Sequence, residues 1–489
     1  MNLKFTSLLS FALTIFLLTG SVAFGKNIRP LIIKGQLTNC PEKFLKIFFE
    51  QTDGSFLTDT IHLDKNGRFY LKTFKIKSPQ RINIRQNNIA INNIFVAPGY
   101  NLLITANAKN FQSLLKTTKI KGIGAEVNAY KLIYDSVFIP RNETAYSHWF
   151  EFNDEKLLAF AKANRKLSDS ILNVAFNKKP VHDPYFSYFR KMVEFDNMFM
   201  ELYFLVAHVN SNNYGYDRSV AFVKNNFDNN ILKHIGKDDY LMSPDYKTWV
   251  IGNEYLSYLV NLDYLKDSTL RGHKNYKLEK ADKAYTGKVR DYVLYRLITG
   301  HVTFAKSLDD LNTSKNDYKP YVSAISDPLY RKSINKLFGE KEAEIMKTSA
   351  GKPAPAFTLQ NNNGKVYSLS DFKGKVVYLD LWASWCGPCR AETPSLKALY
   401  SKYKNDDRIA FISIAVNDGR SNWQKALDED NPNWIQLIDN DGIVSRSYVA
   451  TLIPQFVIID KMGNIANFNA PAPSSGHTLE DILIDEMGK

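Results

Sequence analysis

This chain of 489 residues has three cysteines. Two of them, Cys386 and Cys389, are separated by two residues in the segment LDLWASWCGPCRAETP, positions 379–394. A pair at this spacing can contribute to a metal site or can form a reversible disulfide. A structural zinc site needs four ligands and a catalytic one needs three, but the eight histidines show neither H-x3-H nor HExxH spacing. We therefore expect no metal and favour redox chemistry.

The residues around the pair predict where it lies in the fold. VVYLDLW reads as a buried strand that ends just before Cys386, and CRAETPSLKALYSKY reads as the helix that follows. Cys386 is therefore expected at a helix N-terminus, where free backbone N–H groups and the helix dipole favour a thiolate. Gly387 and Pro388 allow the chain to turn and provide a helix-compatible φ.

The elements that carry this segment form the last of three predicted domains. Short strands separated by turn dipeptides such as Asn66-Gly67 and Pro98-Gly99 predict an antiparallel β domain over residues 26–122. Helical periodicity predicts an all-α domain over 123–347, including an aromatic-rich core helix in the stretch YFSYFRKMVEFDNMFMELYFLVAHV. After the linker SAGKPAPAF, alternating strands and helices predict an α/β domain over 352–489.

Composition excludes some other classes of protein. The hydrophobic content of 44% is sufficient for folded cores rather than a disordered chain. The net charge of +13 comes from 63 basic and 50 acidic residues that alternate along the chain. Such alternation is typical of a solvated surface rather than of a nucleic-acid groove, so we expect no nucleic-acid partner.

The first 25 residues have the pattern of a secretory signal. Lys4 precedes an apolar stretch from Leu8 to Leu18, and small residues lead to Gly25, after which we expect cleavage. An uncleaved segment would instead be a membrane anchor. Either alternative predicts export, with periplasmic localisation. Cys40, the third cysteine, is interpreted as a buried or tolerated thiol.

The stretch PAPAFTLQNNNGKVYSLSDFKGKVVYLDLWASWCGPCRAETP resembles the opening of exported thioredoxin-like proteins, the family typified by TlpA and ResA. The resemblance covers residues 352–489 and implies a thioredoxin fold with thiol-disulfide oxidoreductase activity. The two upstream regions resemble, less specifically, the β domain and helical segment often attached to secreted thioredoxin-like proteins.

Catalytic roles follow from this resemblance residue by residue. Cys386 matches the exposed attacking cysteine of the family, and Cys389 matches the buried resolving one. Asp380 matches the buried carboxylate of ordinary thioredoxins, and Glu392 matches the acidic residue that ResA-like members place beside their cysteines. A desolvated carboxylate there would have a raised pKa and could exchange a proton with Cys389.

The resemblance also implies a substrate-binding set. Pro454, in TLIPQFVIID, matches the family's cis-proline, beside which the backbone at Ile453 pairs with an extended substrate segment. Trp385 matches an aromatic residue that flanks the site, and Gly387 with Pro388 completes the predicted set.

These assignments predict disulfide exchange without any cofactor other than the Cys386/Cys389 disulfide itself. The Gly-Pro dipeptide favours a reductase of disulfide-containing exported proteins, and the resemblance suggests a DsbD-like or CcdA-like membrane electron donor. Cytochrome c maturation and general disulfide repair are both open as its purpose. The alternative is a module that binds a partner protein or a glycan and carries the thioredoxin domain as an accessory.

Overall fold

A computed structural model of the chain describes residues 29–51, 54–86, 89–177, 180–450 and 452–489, without the side chains of residues 138–147. The predicted signal sequence therefore lies outside the described residues. In the part that is described, no helix combines the length and the apolar character that crossing a membrane requires.

Eight strands build the N-terminal region. They are β1 (Leu31–Thr38), β2 (Phe44–Glu50), β3 (Phe56–His62), β4 (Arg68–Thr73), β5 (Gln80–Gln86), β6 (Ile89–Val96), β7 (Asn101–Asn107) and β8 (Lys119–Ile123), with helix α1 (Phe111–Thr117) between the last two. They form two four-stranded sheets, ordered β4-β1-β7-β8 and β3-β2-β5-β6. The predicted antiparallel domain is confirmed, although the pair β1 and β7 runs parallel. Pro98 and Gly99 lie where the chain passes from one sheet to the other.

Alternating side chains give this region its core. In β2, Leu45, Ile47 and Phe49 are buried while the residues between them are more exposed, as expected for a strand with one face on the core. The inward faces of both sheets share one apolar cluster, which also takes in Phe189 and Met192 from the helical region. The β domain and the helical region are therefore packed together through a common core.

The central region is helical, as predicted. Its α-helices are α2 (Ala129–His148), α3 (Asp154–Phe176), α4 (Phe186–Ser211), α5 (Tyr216–Asn226), α6 (Asn229–Lys233), α7 (Tyr255–Lys266), α8 (Tyr276–Ala284), α9 (Gly287–Thr303), α10 (Leu308–Ala324) and α11 (Pro328–Lys347), and a π-helical segment (Tyr246–Glu254) leads into α7. The aromatic-rich stretch becomes α4, which buries Phe199, Leu202 and Phe204. It is a core helix, as predicted.

The C-terminal region has the predicted α/β thioredoxin fold. Its strands are β9 (Thr358–Asn361), β10 (Val366–Ser368), β11 (Val376–Trp382), β12 (Ile409–Ala415), β13 (Ile435–Ile438), β14 (Gln455–Ile459) and β15 (Ile465–Asn467), and its helices are α12 (Gly387–Tyr403), α13 (Arg420–Asp430), α14 (Ile443–Ser447) and α15 (His477–Gly488). The sheet order is β10-β9-β13-β12-β11-β14-β15. Strand β11 runs parallel to β12 and antiparallel to β14.

Strand β11 is buried along its whole length. Val377, Leu379 and Leu381 contribute to the core on one face of the sheet, whereas Val376 and Tyr378 contribute to the core on the other face, under α12 and α15. Because side chains alternate along a strand, Asp380 points to the same side as Tyr378. The strand ends at Trp382, close to the start of α12.

The linker between the helical and C-terminal regions pairs with the edge of the sheet. The N–H of Gly351 donates to the carbonyl of Ile465 at 2.8 Å, and the N–H of Ile465 donates to the carbonyl of Lys352 at 2.8 Å. Pro353 forms an antiparallel bridge with Asn464. The linker therefore extends the sheet beyond β15.

Candidate redox-active site

The cysteine pair lies at the N-terminus of α12 as a disulfide. The sulfurs of Cys386 and Cys389 are bonded, with the Cα atoms 5.3 Å apart. Cys386 is the N-cap of the helix, and the N–H of Cys389 donates to its Sγ at 3.2 Å. An N–H group aimed at this sulfur, together with the positive end of the helix dipole, stabilises the thiolate that forms on reduction. The first turn of α12 begins with Gly387 and Pro388, as predicted.

Both cysteines are nearly inaccessible in this disulfide state. Cys386 is 4% exposed and Cys389 is 5% exposed, so the expectation of an exposed Cys386 is wrong for the oxidised protein. The physical reason is local packing, because both cysteines belong to an apolar cluster with Trp382, Ala383 and Trp423. A partner that reacts with Cys386 must therefore pack closely against the protein surface around this residue.

The loop before β14 faces Cys386. The peptide bond between Ile453 and Pro454 is cis, and the Ile453 carbonyl oxygen lies 3.7 Å from Sγ of Cys386. Backbone polar groups beside the sulfur can hydrogen-bond an extended segment of another polypeptide. The structure thus brings the two residues predicted from TLIPQFVIID directly to the pair.

Asp380 is buried in the sheet on the strand that leads to the pair. Its Oδ2 accepts a hydrogen bond from Ser413 Oγ at 2.7 Å, and Trp434 Nε1 donates to the same Oγ at 2.8 Å. Burial raises the pKa of Asp380 to about 7, the Ser413 hydrogen bond opposes that rise, and the negative charge of Glu392 adds to it. A carboxyl group with a pKa near neutrality can both hold and release a proton at physiological pH.

Asp380 makes no hydrogen bond to either sulfur among the described residues, so it does not touch the disulfide directly. The Glu392 carboxylate forms its hydrogen bonds with Ser474: it accepts one from the backbone N–H at 2.9 Å and one from Oγ at 2.8 Å. The predicted roles of both carboxylates therefore stay predictions. The structure nevertheless places Glu392 close enough for its negative charge to raise the pKa of Asp380.

Trp385 is 64% exposed beside the pair, and its indole Nε1 donates to the carbonyl of Asn417 at 3.1 Å. Next to it, Ser384 is held by Asp418, which accepts from its backbone N–H at 2.6 Å and from its Oγ at 2.8 Å. Asp418 thus fixes the turn that presents Trp385 and Cys386.

Two contributors to the site were missed from the sequence. Ser413 lies opposite Asp380 in the register of β11 and β12, and a serine inside the apolar run RIAFISIAV was a usable signal. Asp418 follows the end of β12, and the carboxyl ends of parallel strands meet at one edge of a sheet. The position of Asp418 just after β12, the neighbour of β11, was a signal that this residue lies near the site.

The remaining candidates lie apart from the pair. Cys40 is a free, half-buried thiol in the β domain, where burial raises its pKa. Within the described ranges, no group of three or more His, Cys, Asp or Glu side chains could hold a metal ion.

Comparisons with known proteins find relatives of the C-terminal region. A family model described as Redoxin matches residues 349–483. The thiol-disulfide oxidoreductase ResA of Bacillus cereus is 36% identical over 144 residues, covering 29% of this chain and 77% of that protein. ResA of Bacillus subtilis is 30% identical over 153 residues, covering 31% and 80%. A solved thioredoxin domain of a thiol-disulfide oxidoreductase from Bacteroides vulgatus is 30% identical, with a TM-score of 0.26, over 28% of this chain and 96% of that structure.

The relatives that match the C-terminal region are thiol-disulfide oxidoreductases, and a cysteine pair at the start of a helix in a thioredoxin fold suits that chemistry. The chain belongs to the redoxin-type family of these enzymes that includes ResA. The family model lies wholly within the C-terminal region, so it assigns no activity to the β domain or the helical region.

Proposed function

We propose that this enzyme is exported and reduces disulfides in proteins outside the cytoplasm through the pair Cys386 and Cys389. The observation that carries the proposal is the position of Cys386 as the N-cap of α12, with the N–H of Cys389 aimed at its sulfur. That position favours an attacking thiolate. The signal-like first 25 residues support export.

The reaction begins with both cysteines reduced. The Cys386 thiolate attacks one sulfur of a client disulfide, forms a mixed disulfide and releases the other client sulfur as a thiolate. The Cys389 sulfur, once deprotonated, attacks Cys386, forms the intramolecular disulfide and releases the second client thiolate. Two electrons pass to the client, and the enzyme finishes in the disulfide state described above.

The second step requires a proton acceptor for the Cys389 thiol. Asp380 suits this role because its raised pKa of about 7 makes its carboxylate a base of useful strength near neutrality. The carboxyl makes no hydrogen bond to either sulfur among the described residues, so in this proposal a bridging water relays the proton. Glu392 raises the basicity of Asp380 by its negative charge.

Repeated turnover requires that the disulfide be reduced again. Outside the cytoplasm, electrons have to come from a membrane protein, and a DsbD-like or CcdA-like donor fits this need. The clients are disulfide-containing exported proteins, with apocytochrome c and misoxidised proteins as the two classes to be distinguished.

Reduction of insulin disulfides by the full-length protein tests the catalytic assignment. With dithiothreitol as reductant, we expect the wild type to accelerate reduction, Cys386→Ser to abolish that acceleration, and Cys40→Ser to retain it as the matched control. Undiminished acceleration by Cys386→Ser would refute the assignment.

The direction is tested by equilibration of the pair with glutathione redox buffers. A reductase should have a potential near that of thioredoxin, about −270 mV, whereas a value near −120 mV would indicate an oxidase. A Cys389→Ala variant should then accumulate mixed disulfides whose partners identify the clients.

A further inference from the structure

A groove lies between the helical region and the thioredoxin domain. Its volume is about 410 Å³, within the range of about 300–1,000 Å³ that is usual for ligand-binding clefts. One wall comes from the connection between α9 and α10 and from the end of α11. The other comes from the loop before β14 and from the segment after β15.

The groove lies next to the loop that faces the redox site. Pro454 is one of its lining residues, and the neighbouring carbonyl of Ile453 lies 3.7 Å from Sγ of Cys386. A client has to place a sulfur at Cys386, and successive residues of an extended chain advance about 3.3 Å each. The groove is therefore within reach of the residues that flank a client cysteine placed at Cys386.

The lining of the groove is mainly apolar. Phe304 on the helical wall is 53% exposed and Leu452 on the thioredoxin wall is 57% exposed, while the small side chains of Ala470 and Ala472 leave room between the walls. Large apolar side chains that stay exposed beside a functional site mark a surface that binds a partner. The helical wall also carries the charged residues Lys306, Lys341 and Glu344, of which Lys341 and Glu344 form an ion pair.

The two walls are held to each other. The side-chain amide of Asn469 donates to the backbone carbonyl of Lys306 at 3.2 Å, which joins the thioredoxin domain to the α9–α10 connection. A groove that exists before the client arrives lowers the entropic cost of binding.

We propose that this groove binds the apolar polypeptide segment that flanks the reactive cysteine of the client, between Phe304 and Leu452. The helical region then determines which disulfides the thioredoxin domain reduces, a role beyond the family's shared chemistry. The inference rests on the proposed reductase function, because the occupant is positioned by its disulfide at Cys386.

The test uses two synthetic disulfide-bridged peptides and the full-length protein. One peptide carries Leu-Val on both sides of one cysteine, and the other carries Ser-Ser at the same places. The measured quantity is the ratio of kcat/KM for the apolar peptide to that for the serine peptide. We expect a ratio of about ten or more for the wild type, because partial burial of an aromatic ring and a leucine against apolar groups supports at least that factor.

Phe304→Ser should lower this ratio about fivefold, mainly through a higher KM for the apolar peptide, and Leu452→Ser should lower it by a smaller factor in the same direction. Phe150→Ser is the matched control, since Phe150 is a helical-region aromatic with a similar exposed fraction, 55%, outside the groove. A wild-type ratio near one, or a ratio that neither groove variant changes, would overturn the inference. Failure of the wild type to reduce either peptide would instead refute the reductase function.

Discussion

Asp380→Asn is expected to make the thioredoxin domain more stable than the wild type at pH 8 and to leave its stability nearly unchanged at pH 4. The reason is the position of this carboxyl in β11, where burial is the largest cause of its raised pKa. Asparagine keeps the shape and an oxygen for the Ser413 hydroxyl, but it never ionises.

The magnitude follows from the shift in pKa. The folded value of about 7 exceeds the ordinary value of 3.8 by about three units, and each unit corresponds to 1.36 kcal/mol. Below pH 3.8 the carboxyl is neutral in both the folded and the unfolded protein, so its pKa shift costs no stability there. The destabilisation grows as the pH rises from about 4 to about 7 and then levels off, at a total of about 4 kcal/mol.

The Ser413 hydrogen bond, which favours the carboxylate, is one of the causes that set the pKa at about 7, so no separate correction for it is needed. The expected advantage of Asp380→Asn at pH 8 is therefore about 4 kcal/mol.

Hydrogen exchange measured by mass spectrometry suits this protein, because a chain with several domains does not unfold in one step. The amides of Val376–Trp382 pair with β12 and β14 and exchange only when the centre of the sheet opens. Their free energy of opening, corrected for intrinsic exchange rates, is compared between the variant and the wild type in the oxidised state from pH 4 to pH 8.

Asp407→Asn, a change in an exposed carboxylate, is the control and should show no pH-dependent difference. An advantage of Asp380→Asn that is equal at pH 4 and pH 8 would refute the raised pKa. Lower stability of the variant at pH 8 would show that the hydrogen bond to Ser413 outweighs desolvation. The variant should also resolve mixed disulfides more slowly, which single-turnover kinetics measures.

Three further variants test the surroundings of the pair. Glu392→Gln removes a negative charge that raises the pKa of Asp380, so the pH profile of disulfide reduction should shift to lower pH. Ser413→Ala removes the hydrogen bond that lowers this pKa, so the same profile should shift to higher pH, and opposite shifts would contradict the reasoning. Asp418→Ala removes both hydrogen bonds to Ser384 and should lower the free energy of unfolding of the thioredoxin domain by about 1–3 kcal/mol. Its kcat/KM for insulin should also fall, and an unchanged value would show that the turn needs no such support.

Local sequence was sufficient to predict the main chemistry of the site. Cys386 lies between an apolar strand and a helix that begins with Gly-Pro, and these segments are adjacent in the sequence. Their residue pattern was therefore enough to predict the local structure. Pro454 lies 65 positions after Cys389, and only the family resemblance indicated its role.

Contacts between distant segments were harder to predict. The link from Asp380 to Ser413 depends on the register of two strands, and the support from Asp418 depends on which strand ends meet at one edge. The low exposure of Cys386 arises from packing against Trp423 on α13. Hydrophobic periodicity predicts none of these contacts. It indicates which face of a strand or helix is buried, but not which other segment packs against that face.

In the β domain, the turn residues predicted where strands end but not which strands pair in a sheet. Pro98 and Gly99 join strands of different sheets, and β1 lies between its antiparallel neighbour β4 and its parallel neighbour β7. Pairing of this kind is set by the closure of the shared core rather than by the turns themselves.

The pairing of Gly351, Lys352 and Pro353 with the strand edge at β15 also has a consequence for association between molecules. An open edge strand offers unpaired N–H and C=O groups to any other extended chain, and it is a common starting point for aggregation. Here the chain's own linker occupies that edge. The sheet is thus protected at that edge from pairing with other extended polypeptides, and cutting the linker would expose it.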